Sequence, residues 1–215
     1  MRILLALAVL FLAGCAGEPK PKPNLTLLKW RMVAWHDSGG YGRAFAAAAN
    51  RADRILDRYL HRGLPQNFAI VFDIDETLLS NWPYLRDNDF GITMSSFTAW
   101  AGASRDAALA PMLEVFSTAR AYHIPIFLIS GRPESLREAT VRNLANAGFW
   151  GWTDLHLRPD SDHAASVIPF KSGIRKMLAG HGFDIILNVG DQQSDLEGGY
   201  ARHRVKLPNP FYYIQ

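Results

Sequence analysis

Phe68-Ala69-Ile70-Val71-Phe72-Asp73-Ile74-Asp75-Glu76-Thr77 is the stretch on which the fold of this chain turns. Five apolar residues in a row, aromatic and β-branched among them, read as a strand buried on both faces, the pattern of a parallel sheet. The run ends in two carboxylates one residue apart. Strand alternation sends Asp73 and Asp75 to one side and Ile74 to the other. Two anions so placed repel each other and lose water, so something must compensate them. A divalent cation does this, and Mg²⁺ favours hard oxygen ligands and phosphate-bearing substrates. One carboxylate can then attack while the other moves a proton.

The partners of such a site come in order along the chain. A second apolar run, 124–129, ends in Ser130-Gly131-Arg132-Pro133-Glu134. Pro133 suits the first turn of a helix over 133–147, where its missing N–H costs nothing, and Ser130 and the free amides of that turn would face an anion. Phe170-Lys171-Ser172 opens a helical segment over 171–178. A lysine at a helix N-terminus opposes the macrodipole unless a phosphate sits between them. A last strand, 183–189, ends in Gly190-Asp191-Gln192-Gln193-Ser194-Asp195, a second acidic strand terminus.

These four elements resemble the four motifs of the haloacid dehalogenase-like (HAD) phosphatases. The stretches VFDIDETLLSNWPY, FLISGRPESLREATVRNLANAGF and GDQQSDLEGG…VKLPNPFYYI are similar to the plant acid phosphatase and vegetative storage protein family and to bacterial class B/C acid phosphatases, some of them lipoproteins (subfamily IIIB). The likeness runs from about residue 35 to 215. Two departures are Gln193, where plant relatives usually carry Trp, and Ser130, where they usually carry Thr. The resemblance implies a Rossmann-like α/β fold with a central parallel sheet, helices on both faces and a small insert after the first strand. It also implies that Asp73 attacks phosphorus to form an aspartyl-phosphate, and that Asp75, starting protonated, serves as acid and then base. Mg²⁺ would be held by Asp73, the backbone carbonyl of Asp75 and Asp191, with Ser130, Gly131 and Lys171 on the phosphoryl oxygens. Asp195 is either an outer group on the metal or a helix cap. Arg132 either touches substrate or pairs with Glu134 or Asp195.

The N-terminus stands apart from this domain. Met1-Arg2 precedes an apolar run, 3–12, too short for a stable membrane span, which reads as a secretory signal peptide. Leu12-Ala13-Gly14-Cys15 resembles a bacterial lipobox, making Cys15 the expected lipidation site of an exported lipoprotein, facing the periplasm from the outer membrane of a Gram-negative cell. Residues 1–15 are thus leader, 16–24 a lysine–proline tether, and 25–215 the phosphatase domain. Cys15 is the only cysteine, so the domain has no disulfide to rely on. With 23 basic against 20 acidic residues the formal charge is +3, a balance that argues against a dedicated nucleic-acid binder. A homodimer is the expected assembly, by resemblance.

Organisation along the chain agrees with one domain. A short amphipathic helix is expected over 25–35, broken by Ser38-Gly39-Gly40. An alanine-rich helix over 41–60 presents Phe45, Ala49, Ala52, Leu56 and Tyr59 on one face. Residues 81–104, aromatic and turn-rich, form the insert bordering the site, where Trp82 and Trp100 are candidate substrate platforms. A helix over 107–122 and a short strand over 154–157 complete the alternation that dictates parallel crossovers. Trp150 and Trp152 are expected in the core, and the seven histidines show no metal spacing. Two other classes of function share this fold: a non-catalytic storage or binding protein, and a phosphotransferase using the same residues. Storage relatives weaken catalysis by losing the nucleophilic aspartate, which this chain keeps as Asp73.

Overall fold

A computed structural model describes residues 22–63 and 66–215, so Cys15 and the leader lie outside the described residues. The chain begins with α1 (Leu25–Asp37) and α2 (Gly40–Arg62), then enters β1 (Phe68–Phe72). A two-residue strand β2 (Leu79–Ser80), helices α3 (Trp82–Asp87) and α4 (Met94–Gly102), and strand β3 (Ala107–Ala108) form the insert and its neck. Next come α5 (Ala110–Ala121), β4 (Ile126–Pro133), a 3₁₀ turn (Glu134–Leu136), α6 (Arg137–Asn146) and β5 (Asp154–Arg158). The fold closes with α7 (Ile168–Gly180), β6 (Asp184–Gly190), α8 (Gln193–Leu196) and β7 (His203–Lys206).

The main sheet has the order β5-β4-β1-β6-β7, every pair parallel. Phe72 is level with Leu128 on one side and Val189 on the other, so β1, β4 and β6 deliver their C-terminal turns to one edge. Ligands bind at this carboxyl edge in open parallel sheets. Alternation along β1 assigns its residues to two cores. Phe68, Ile70 and Phe72 join Phe45, Ala49, Ala52 and Leu56 of α2 and Met112 and Phe116 of α5. Ala69 and Val71 join Phe127, Ile129, Ile185 and Leu178 of α7 on the opposite face. Helices therefore cover both faces, as the run of apolar residues requires.

Several boundaries differ from the sequence reading. The expected helix over 133–147 begins later, because β4 continues through Ser130, Gly131 and Arg132 to Pro133, which is extended at φ −65°, ψ 149°. A register shift between Ser130 and Pro133 lets the strand carry these residues past the end of β1 while still pairing with β5. Residues 107–108 pair with β2 instead of opening α5, which starts at Ala110 with Pro111 in its first turn. α7 starts three residues before Lys171, again with a proline, Pro169, in its first turn. Trp150 is exposed, its ring 3.6 Å from the Arg120 guanidinium carbon, whereas Trp152 is half-buried against the core. The break between α1 and α2 is enforced at two glycines: Gly39 has φ 75°, and a side chain on Gly40 would run into the Trp35 ring.

Candidate active site

The turn after β1 fixes its two carboxylates by burying the residues between and beyond them. Ile74 is fully buried in the core, and its carbonyl accepts the amides of Leu78 and Leu79 at 2.8 and 2.9 Å. Glu76, at φ 50°, is equally buried; it accepts the Asn81 amide at 2.5 Å and the Tyr41 hydroxyl at 2.9 Å. Its residence away from water lifts its carboxyl to about 7 despite those two donors. Asp73 and Asp75 are left facing one cavity of about 330 Å³ at the carboxyl edge of the sheet.

Lys171, buried in the first turn of α7, bridges two carboxylates there. Its Nζ donates to Asp73 Oδ1 at 2.6 Å and to Asp195 Oδ1 at 2.5 Å. Carboxylate oxygens of Asp73, Asp191 and Asp195 lie within 4.8 Å of one another, close enough to hold one ion. Burial lifts Asp73 to about 7, with Lys171 opposing and Asp195 and Asp75 adding to the rise. Asp191 is pushed well above the usual carboxylate range, first by burial and then by Asp195 and Asp73. One lysine therefore does not offset the burial of Asp73 and Asp191. A three-oxygen acidic set with a charge deficit is what a hard divalent cation fits.

Asp195 takes the cap role of the two expected for it, and it stands where the metal role would need it. It belongs to the acidic cluster, and its Oδ2 caps α8 by accepting the Gln192 amide at 2.8 Å. Gly190 makes this possible, since any Cβ there would collide with the Asp195 side chain. Asp191 is held by Asn209 Nδ2 at 2.5 Å and Gln192 Nε2 at 2.7 Å.

Arg132 settles on partners that were not among those expected. Glu134 pairs with Arg137, and Asp195 with Lys171. The fully buried guanidinium of Arg132 instead grips Asp75, from Nη2 at 2.7 Å and Nε at 3.0 Å, and donates to Asp106 at 2.8 Å. Asn81 Nδ2 adds a third donor to Asp75 at 2.8 Å. Burial works against an ionised Asp75, but Arg132 and Asn81 outweigh it and hold the carboxyl below its ordinary value. The expectation that Asp75 starts protonated is therefore corrected: its partners keep it ionised at rest.

Gly131, Arg132 and Lys171 line the cavity with the carboxylates. Ser130 departs from its expected place; it is fully buried, stands behind the lining, and its Oγ accepts the Arg132 amide at 3.2 Å. Neither Trp82 nor Trp100 lines the cavity. Trp82 stacks on His36 at 3.6 Å, and Trp100 donates to Asn81 Oδ1 at 3.0 Å. The walls are Tyr84, Ile92, Met94 and Phe97 of the insert, facing Tyr212, Tyr213 and Ile214. Sequence reasoning missed Asn81, Asp106 and Asn209 as well as this C-terminal wall. The stretch from Asn209 to Ile214 carries no periodic signal; Gln192 pins it by accepting the Ile214 amide at 3.1 Å.

The family described as HAD superfamily, subfamily IIIB (acid phosphatase), matches residues 32–215, which include every residue of this site. The chain belongs to that family. Acid phosphatase 1 of Solanum lycopersicum is 41% identical over 148 residues, which cover 67% of this chain and 58% of the tomato protein. Vegetative storage protein 1 of Arabidopsis thaliana is 32% identical over 148 residues, 67% of this chain and 54% of that protein. The chain thus matches little more than half the length of these plant relatives. In architecture it is similar to the class C acid phosphatase of Bacillus anthracis, with a TM-score of 0.73 and 22% identity over 88% of this chain and 86% of that one. The parallel order of β4, β1 and β6, with α7 beside them, is the frame that brings the four sequence stretches to one edge.

Proposed function

We propose that this protein is a Mg²⁺-dependent acid phosphatase that hydrolyses phosphomonoesters through an aspartyl-phosphate on Asp73. One observation carries the reading: Asp73 and Asp75 open together into a single cavity beside Lys171. Asp73 attacks phosphorus, forming its O–P bond as the ester P–O bond breaks, which divides one hard displacement into two easier ones. Asp75 passes a proton to the leaving oxygen and then takes one from the water that cleaves the intermediate. Because Arg132 holds Asp75 ionised, that first proton is supplied more readily in acidic medium. Lys171 and the backbone at Gly131 meet the phosphoryl oxygens, so most of the rate enhancement is electrostatic. Asp73, Asp191 and Asp195, with the backbone carbonyl of Asp75, would hold the Mg²⁺, whose charge neutralises the transferring group.

The retained nucleophile favours an enzyme over a storage protein on the same fold. Asp73→Asn is the test, since the amide is nearly isosteric but a poor nucleophile. We expect loss of phosphate release with an unchanged melting temperature, and an acid-stable phosphoryl adduct on the Asp73 peptide of wild type alone. A well-folded Asp73→Asn protein that still turned over would overturn the mechanism. Beyond the active site, the lipobox supports an exported lipoprotein anchored through Cys15, and the resemblance supports a homodimer; mass spectrometry of the N-terminal peptide and sedimentation test these readings.

A further inference from the structure

α1 is built in two unlike halves. Its C-terminal half is held by the body of the protein: Val33 and Trp35 pack on the core, and His36 stacks on Trp82 at 3.6 Å and 11°. Its N-terminal half is capped by Asn24 Oδ1, which accepts the Leu27 amide at 3.2 Å, and sends no apolar side chain onto the core. Leu25 and Trp30 are each 66% exposed, Leu27 46% and Leu28 36%. At about 100° per residue these four side chains point to all sides of the helix axis rather than to one stripe. A flat protein face or a groove covers one side of such a helix end and leaves the rest in water. A fluid apolar medium covers it all round.

The charges specify which medium. Lys20, Lys22 and Arg31 flank the apolar residues, Lys29 being paired with Asp89 of the insert at 2.5 Å, and no acidic residue lies between Glu18 and Asp37 in the sequence. Tryptophan and lysine are the residues that settle at a bilayer interface, the ring at headgroup level and the amine reaching back to water. We propose that the N-terminal half of α1 seats this protein end-on in the interface of an anionic phospholipid bilayer, with or without lipid on Cys15. The inference is separate from the catalytic reading, since no residue of this half lines the cavity. Its other end leads toward the active-site insert, because His36 lies on Trp82.

The test uses full-length protein and vesicles of phosphatidylcholine and phosphatidylglycerol whose acyl chains carry bromine, a contact quencher of tryptophan. The emission of Trp30 is isolated as the difference between wild type and Trp30→Phe. A helix end seated in the interface brings the Trp30 ring against the upper acyl chains, so roughly half or more of this difference emission should be quenched, with a shift to the blue. Vesicles of brominated phosphatidylcholine alone should quench it less. Lys22→Glu/Arg31→Glu should weaken quenching on the anionic vesicles while phosphatase turnover stays unchanged. A Trp30 contribution that bromine leaves untouched overturns the proposal, even if the leader carries the protein to the vesicle. So does a blue shift without lipid that grows with protein concentration, which would assign this surface to a second copy of the chain.

Discussion

Replacing Arg175 by methionine should loosen the acidic loop without touching the cavity. Arg175 is 1% exposed and does not line the cavity. Its guanidinium donates to the Asp195 carbonyl at 2.7 Å, to the Gly199 carbonyl at 3.0 Å, and to the Glu197 carbonyl. Burial lowers its pKa to about 10, which still leaves it a cation at neutral pH. The loop cannot shift to find other donors easily, because Gly198, at φ 84°, lies so close to Ser172 that a Cβ would collide with it. Each hydrogen bond to a charged donor contributes about 1.5–3 kcal/mol, so three set an upper bound. Asn188 still serves the Asp195 carbonyl at 2.9 Å, and Glu197 and Gly199 are not fully buried. We therefore expect a net loss of about 3 kcal/mol, below the simple sum. For a domain of this size that lowers Tm by roughly 6–12 °C. Mg²⁺ should also be needed at about 10–100-fold higher concentration, because Asp195 sits on the loosened loop. Calorimetry and a Mg²⁺ titration of turnover read the two effects. Arg175→Lys should rescue little, since one ammonium does not span three carbonyls. An Arg175→Met protein with wild-type Tm and an unchanged Mg²⁺ requirement would refute the reasoning.

Arg132→Met strands the buried Asp106 and the half-buried Asp75 and should cost about 3–5 kcal/mol at neutral pH. Asp75 is held below its ordinary 3.8 in the folded protein, so its pairing stabilises above that value and is lost as pH falls below it. Asp106 is already raised to about 6 beside Arg132, so urea melts should show the gap between Arg132→Met and wild type narrowing as pH falls from about 6 through 3.8. Glu76 has the opposite sign: its carboxyl is raised from 4.5 to about 7, so its stability contribution is full below 4.5 and lost as pH rises through 7. Glu76→Gln should match wild type in acid and exceed it in stability above neutrality. Free Mg²⁺ at a hundred times its Kd should stabilise wild type by about 2.7 kcal/mol, and Asp191→Asn should erase most of that gain in a thermal melt.

The strand Phe68–Phe72 was legible because five apolar residues ending in DIDET combine period, length and terminus in one place. β4 and β6 were legible for the same reason, and with three parallel strands in hand the common edge came with them. Boundaries failed where pairing overrode local preference. Pro133 has the sequence character of a helix start, yet β5 holds it in the sheet, and Ala107 has helical character, yet Ser80 pairs with it. Site residues failed where the partner lies far along the chain. Nothing local to Arg132 names Asp106, and nothing local to Asp191 names Asn209; both ties exist only once the crossovers are made. Trp150 shows the converse, a hydrophobic residue whose stacking on Arg120 satisfies it at the surface.

The clasp between β2 and β3 has a consequence for how this fold can change. Leu79–Ser80 and Ala107–Ala108 run antiparallel, so the chain leaves for the insert and returns from it at neighbouring points. Everything between them, α3 and α4 included, hangs from a neck about one strand spacing wide. The five-stranded sheet does not pass through the insert, and the acidic cluster does not draw on it. A foreign segment of different length and shape could be spliced across that neck while the sheet and its acidic edge stay in register. The bonds that tie the insert to the catalytic carboxylates' side of the site would have to be kept, Asn81 on Asp75 and Glu76 and Asp106 on Arg132, as would the packing of Trp82, Tyr84 and Leu85 on the core. The catalytic floor and the substrate-facing wall are therefore separable inheritances, joined by a pair of two-residue strands.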